Sequence, residues 1–376
     1  MKKVAKILIV GGGIGGMSAA IQLRKQGAQV DLVEQDKDWQ VYGAGITLSG
    51  PTLRAFKEIG IVESIVQQGY CADGCAIALA NGQIIGEIPT PRIAGPDVPG
   101  GGGIMRPVLA RILSQATLDA GVSVRLGTTF SSMKQDTDGV DVEFVDGSSA
   151  RYDLVIGADG LHSKVRQALF PEAPKPSFTG QGAWRAVVPR PAEVVQPIMF
   201  MGHHTKAGVN PVSHDEMYLF FLDKRSDNSF VSPEQWAAIL AEELAEFSGL
   251  VGDIRDGISA QSRIIYRPLE SVLLPAPWHV GRVVLLGDAI HATTPHLASG
   301  AGIAVEDAIV LAEELFRDEG ADVAGALERY VSRRMERSRL VVENSLRLGV
   351  IEQEGGSQQE HEQLMRSTMQ LLLQPI

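Results

Sequence analysis

Three features of the sequence predict an α/β fold. An apolar run, Ile7-Leu8-Ile9-Val10, leads directly into Gly11-Gly12-Gly13 and then into a helical stretch. In the middle of the chain, roughly 177–270, apolar and polar residues alternate, as a sheet with one covered face requires. Two long amphipathic stretches, 302–318 and 322–348, follow. Together these predict a Rossmann-like domain that carries an inserted, mainly antiparallel β-sheet and long C-terminal helices. Glycine-centred motifs lie on both sides of the middle segment. The first domain is therefore expected to be discontinuous, 1–176 plus 271–350. The sheet domain takes 177–270, and 351–376 forms a tail.

The elements follow in order. Residues 6–10 predict a buried strand, 17–26 a helix and 29–34 a second strand, which is one strand–helix–strand unit. Residues 52–68 and 106–120 read as helices, and 122–126, 140–144 and 154–157 as strands. In the middle segment, 197–202, 206–213 and 216–222 read as strands, with one helix at about 233–246. A strand returns at 283–286, and 359–373 can form a helix in the tail. The Pro/Gly-rich stretches 86–103 and 171–182 read as loops.

Composition narrows the function. The 376 residues include 34 Lys and Arg against 45 Asp and Glu, a formal net charge of −11. Nucleic acid and anionic membrane surfaces need a basic face, so neither is expected as a partner. Cys71 and Cys75 are too few for a disulfide scaffold, and their spacing has no second half that would make a metal site. No apolar run reaches the roughly 18 residues a membrane helix needs, and the run at 7–10 is too short for a signal peptide. A cytoplasmic location is expected. Glycine is in excess, 41 residues or about 11% against a usual 7%, and the excess is clustered where the motifs lie.

The first cluster places G-x-G-x-x-G at Gly11, Gly13 and Gly16, after a strand and before a helix. Without Cβ atoms the backbone can approach a pyrophosphate, and the helix start offers free N–H groups. Glu34 ends the second strand, 18 residues after Gly16, where an acid accepts from a ribose diol. This half-site suits NAD or FAD equally. Two further clusters follow. One is Asp159-Gly160-Leu161-His162-Ser163, running on to Arg166. The other is Gly287-Asp288, followed by Pro295 and Ala298-Ser299-Gly300-Ala301-Gly302 at a helix start.

In this order and spacing the three clusters resemble those of the class A flavoprotein aromatic hydroxylases, the p-hydroxybenzoate and salicylate hydroxylase family. The resemblance runs from residue 6 to about 348. It implies the p-hydroxybenzoate hydroxylase-type fold with FAD bound in extended form. Gly11, Gly13, Gly15 and Gly16 would take the pyrophosphate, Glu34 with Gln35 the adenosine ribose, and Phe130 a backbone contact to adenine. Arg106 matches a flavin-contacting arginine. Asp159 and Arg166 match a motif tied to both FAD and NAD(P)H. Asp288 would bind the ribityl–pyrophosphate region, while Pro295 and Gly300-Ala301-Gly302 would lie beside the flavin. The loop Gly43-Ala44-Gly45-Ile46-Thr47 resembles the one beside the isoalloxazine. There is no second G-x-G-x-x-G, which fits a transient NADH or NADPH donor.

The family's reaction implies a flavin C4a-hydroperoxide that transfers one oxygen atom from O2 to an electron-rich ring. The protein then supplies orientation, electrostatics and exclusion of water. Candidate substrate-facing groups are Lys206, Asn210, Tyr218, His296 and Thr47, because period two puts 206, 208 and 210 on one face. Trp184-Arg185 reads as packing the sheet on the flavin domain, His291 as structural, and His203 and His204 as loop surface. The expected function is NAD(P)H- and FAD-dependent hydroxylation of a small aromatic or N-heteroaromatic substrate by a monomer or homodimer. The alternatives are a reductase or dehydrogenase of the same fold, or a catalytically silent flavin binder.

Overall fold

The chain is seen here as a computed structural model that describes residues 4–39, 43–203, 205–317 and 322–376. His204 and residue 318, both assigned roles above, lie outside the described residues. The N-terminal strand Lys6–Val10 pairs in parallel with Gln29–Glu34 on one side and Leu154–Gly157 on the other. Val283–Leu285 and Ser123–Leu126 extend the sheet outward, and the short antiparallel His279–Val280 ends it. Helix Ile14–Lys25 and the three-stranded antiparallel sheet of Phe130–Gln135, Val140–Phe144 and Ser149–Tyr152 pack into the same core, which is why Ile7, Leu8, Ile9 and Val10 are all apolar and all buried rather than alternating.

The middle segment does form a sheet, and that sheet is broader than 177–270. Its seven strands run in the order Arg263–Ser271, Ser177–Pro189, Glu216–Lys224, Lys206–Pro211, Ile198–Met201, Gly74–Leu79, Ile84–Pro89. The last two come from the first half of the chain, and Gly74–Leu79 joins in parallel. One face is the core of this layer. Trp184, Ala186, Leu219 and Phe221 pack there against Leu240, Leu244, Phe247 and Val251. These last four lie on and around the helices Trp236–Glu243 and Leu250–Asp256, the second of which the sequence pattern did not predict.

Several expectations are corrected. The helix predicted at 52–68 is two helices, Gly50–Ile59 and Val62–Gln68, because Gly60 turns left-handed (φ +86°) and ends the first. The predicted loop 86–103 begins in a strand and ends in another, Gly101–Met105, which pairs with Gly45–Ser49 and Tyr70–Ala72. The predicted loop 171–182 gives way to strand at Ser177. The closing helices are Gly300–Phe316, Val323–Glu354 and Gln358–Leu373. No helix among the described residues is long and apolar enough to cross a membrane.

Candidate functional site

Three motif turns and the end of the second strand meet at the C-terminal edge of the parallel sheet. Gly11 follows Val10 and donates its N–H to Val33 O at 2.9 Å. Ala158 donates to Val10 O, and Leu286 donates to Gly157 O. The glycine turn, the Asp159 turn and the Gly287-Asp288 turn thus lie side by side, where ligands of open parallel sheets bind. In the glycine turn, a Cβ at Gly16 would stand 2.0 Å from Gly11 O, and one at Gly11 (φ +109°) 2.4 Å from Ala158 O. Gly13 differs, because its Cβ direction meets only open space. It is the N-cap of helix Ile14–Lys25, whose start has no side-chain cap. Glu34 accepts from Gly12 N at 2.7 Å and from Asp36 N at 2.8 Å, leaving a second lone pair on each oxygen. Gln35 follows at the strand end, and Phe130 opens the next strand four residues beyond Leu126, which pairs with Glu34. Trp39 donates from Nε1 to Gly12 O at 2.9 Å, so an indole lies beside the turn.

Asp159 and Arg166 hold backbone. The Asp159 carboxylate accepts from Ser163 Oγ and the Lys164 and Val165 N–H groups, and buried Arg166 donates to Ala289 O and Leu161 O. This ties the second cluster to the third. Buried His291 sits 2.6 Å from Asp307 Oδ2, which also accepts from Gly287 N, and Arg334 Nε reaches Asp307 Oδ1 at 2.8 Å. Burial alone would raise the Asp307 pKa, but His291 and Arg334 outweigh it and hold the carboxyl below its usual range. The network fixes the turn that presents Asp288. Asp288 itself is exposed, yet protein surrounds it, because it faces a cleft rather than bulk solvent. Desolvation raises its carboxyl pKa, with His291 and Arg106 opposing and Asp307 adding to the rise.

Across the cleft lies the other face of the seven-stranded sheet. Tyr218 OH is 2.6 Å from Thr47 Oγ1, and Asn210 Nδ2 donates to the same Oγ1 at 2.8 Å. Two glycines allow this approach. A Cβ at Gly45 would lie 2.3 Å from the Tyr218 ring, and one at Gly103 would lie 2.3 Å from Pro211 O. Arg106 opens helix Arg106–Asp119, anchored by its N–H to Ala44 O. Its guanidinium has no hydrogen bond or ion pair among the described residues. Burial lowers its pKa and Arg185 lowers it further, against Tyr218 and Asp288. Arg185 therefore faces this cleft, while Trp184 points into the opposite core. Neither packs the sheet on the flavin domain as expected above: the tryptophan packs the far face of the sheet on its own helices.

Lys206 and His296 stand apart from that triad. Lys206 lies four residues from Asn210 along its strand, roughly 13 Å away. Its Nζ contacts Glu352 Oε1 at 2.6 Å and His361 Nε2 at 3.1 Å. His296 Nδ1 meets Thr294 Oγ1 at 2.9 Å, and its Nε2 lies 3.4 Å from Glu352 Oε2. Glu352, on the helix Val323–Glu354, gathers both candidates and His361 of the last helix. Burial acts to raise its pKa, but the close approach of His296, the hydrogen bond to His361 and the Lys206 charge hold it well below the carboxylate range. Pro295 opens a short 3-10 turn, Ala298 is left-handed (φ +47°), and helix Gly300–Phe316 starts without a side-chain cap. Gly302 packs against Thr52, where a Cβ would lie 2.4 Å from Oγ1.

The site also contains Arg185, read above as a packing residue, and three residues that the sequence pattern did not single out: Glu352, Asp307 and Trp39. Period two would have placed Arg185 opposite Trp184, and the acid Asp307 lies on the helix that the third cluster opens.

Comparison with known proteins agrees with this geometry. A family profile described as FAD binding domain matches residues 4–345. The chain is 31% identical to the aurachin C monooxygenase/isomerase of Stigmatella aurantiaca, over 94% of this chain and 91% of that one. It is 33% identical to the FAD-dependent urate hydroxylase of Klebsiella oxytoca, over 90% and 88%. Its fold matches that of Klebsiella pneumoniae HpxO solved with FAD and uric acid, with a TM-score of 0.84 and 26% identity over 98% of this chain and 92% of that one.

Proposed function

The chain belongs to the FAD binding domain family of flavoprotein monooxygenases, and from that premise we propose that it uses NAD(P)H and O2 to hydroxylate a small aromatic or N-heteroaromatic ring. One observation carries the reading. The nucleotide-type turns at the sheet edge and the polar triad Asn210–Thr47–Tyr218 face each other across one cleft, with Arg106 between them.

The residues present fit FAD. Gly13 opens to free space at an uncapped helix start, as an incoming pyrophosphate requires. Gly11, Gly15 and Gly16 shape that turn. Glu34 with Gln35 would hold the ribose, and Phe130 would lie along the adenine. Arg106 lacks an anionic partner, and Asp288 faces the cleft without a hydrogen bond among the described residues, which suits the flavin and the ribityl hydroxyls. Thr47, Pro295, Gly300, Ala301 and Gly302 would border the ring. Asp159 acts on this site by holding its turn. Bound FAD would supply the electron and oxygen chemistry.

The chain's own residues would bind and orient the ring. If Thr47 donates to Tyr218 OH, the phenol proton is free to point at a substrate oxygen. Asn210 Oδ1 is buried without a partner among the described residues, so this wall retains an unused acceptor. Relatives that act on urate and aurachin make nitrogen heterocycles the first candidates.

The test is the absorption spectrum of the purified protein, followed by NAD(P)H oxidation with a panel of phenols and hydroxylated heterocycles. A yellow protein whose NAD(P)H oxidation rises with one ring compound, giving a product heavier by one oxygen, supports the reading. A protein that cannot be loaded with FAD refutes it.

A further inference from the structure

We infer that Arg185 is the anion anchor of the substrate site, and that the substrate is a planar aromatic or heteroaromatic monoanion. This rests on the proposed function, because it names the ligand class of the same site.

The placement follows from strand geometry. Along Ser177–Pro189, side chains alternate between faces. Trp184 and Ala186 are buried in the far core, so Arg185 and Val187 face the cleft. Val187 pairs across the sheet with Tyr218, the residue that meets Thr47 on the flavin-domain side. Arg185 itself pairs with Phe220 on one side and Ile265 on the other. Neither is an acid, and the diagonal positions hold Tyr218, Leu222, Arg263 and Arg267. No hydrogen bond or ion pair reaches the half-buried Arg185 guanidinium among the described residues.

A guanidinium in that setting lacks the acceptors it would have in water, and an anionic ligand restores them. The cleft also holds a second cation without a partner, Arg106, close enough for the two to repel. Two unpaired arginines facing one cleft run against the chain's net charge of −11. Arg106 and Asp288 belong to the expected cofactor side. Of the other cations on this sheet face, Lys206 is neutralised by Glu352 and Arg263 by Glu216, while Arg267 and Lys224 donate to backbone carbonyls. That leaves Arg185 for the substrate. The Phe220 ring lies across Gly208, where a Cβ would come within 2.1 Å of Cζ, and offers a flat apolar surface beside the guanidinium. A planar anion meets both.

The experiment titrates FAD-loaded protein with two matched pairs and follows the flavin absorbance change. The pairs are 6-hydroxynicotinate against its carboxamide, and urate against the neutral purine hypoxanthine. The wild type is expected to bind the anion of at least one pair more tightly. Arg185→Met should weaken that anion by about 10- to 100-fold, the range for a hydrogen bond to a charged group, and leave the neutral partner and the flavin-to-protein ratio unchanged. Arg185→Lys should recover part of the loss. In the wild type, added chloride should compete with the anion only, which is a readout independent of any variant's folding. The responding pair distinguishes a carboxylate from a ring anion. The inference is overturned if the wild type shows no anion preference in either pair, if chloride has no effect, or if folded Arg185→Met keeps the preference or loses FAD. Failure of the wild type to take up FAD at all would instead refute the proposed function.

Discussion

Gly13 and Gly16 sit three residues apart in one turn, and their surroundings are opposite. A methyl group at Gly16 meets the carbonyl of Gly11, which is backbone and cannot swing aside. A methyl group at Gly13 meets no protein atom, and the backbone there (φ −76°, ψ −175°) is open to any residue. Gly16→Ala should therefore lower stability by roughly 1–3 kcal/mol, as overpacking does, and abolish FAD retention. Gly13→Ala should cost the apoprotein about 1 kcal/mol or less, the scale of an N-cap change, yet weaken FAD because its methyl group enters the space the pyrophosphate needs. Urea unfolding of the apoproteins and a flavin titration check both. Equal loss of stability in the two variants would show that the space at Gly13 is not kept for a ligand.

At the scale of elements, the third glycine cluster is held by a helix pair rather than by its own turn. Asp307 receives His291, Gly287 N–H and Arg334, and Arg334 also contacts Glu306. Removing the charge leaves two cationic or hydrogen-bonding groups buried against a neutral amide. Asp307→Asn is expected to cost about 3–5 kcal/mol, the range for breaking a buried pair. The pH dependence has a definite sign. The folded pKa is depressed, so the stabilisation is fully present above the unfolded aspartate value of about 4 and is lost as pH falls through the folded value. Urea midpoints from neutral pH down to acid should fall less steeply in the variant than in the wild type. The same network marks what was legible in the sequence. The sheet-edge motifs could be read because each requires glycine at a fixed spacing next to a strand. Thr47, Asn210 and Tyr218 could be read because period two and the flavin-loop pattern aim them at one place, and the structure brings them together. Strands Gly74–Leu79 and Ile84–Pro89 form a local hairpin that could not be assigned to the large sheet, since it joins that sheet only through Ile198–Met201, more than 100 residues away. Glu352 and Asp307 were missed for a related reason. A lone acid on a long helix reads as a solvated face until tertiary packing supplies its cations.

At the scale of the whole molecule, the last helix joins parts that are far apart in sequence. Its N-terminal half brings His361 to Glu352 and Lys206 of the large sheet. Its C-terminal carbonyls are held by Arg54, on the helix after the Thr47 strand, and by Arg337. Between these ends Leu364, Met365 and Met369 pack on an apolar seam of Leu297, Ile303, Val341 and Leu348, and Leu372 of the C-terminal end is buried in it. The helix thus spans from the sheet to the flavin-side wall, and Glu352 is the charge that fixes one end. Glu352→Gln removes that charge and leaves Lys206 facing an amide. Losing hydrogen bonds to a charged group is expected to cost about 1.5–3 kcal/mol, roughly a 10- to 100-fold loss of amide-exchange protection over Gln358–Leu373. The Arg54 end should keep the helix from detaching altogether. Because the folded Glu352 pKa is depressed, wild-type protection in this helix should hold above the usual glutamate value and fall as pH drops below it, whereas the variant should lack that dependence. Hydrogen exchange read by mass spectrometry on peptides from 358–373 decides the matter. Protection unchanged in Glu352→Gln would mean that the apolar seam and Arg54 alone hold the helix, and that the cluster serves another end.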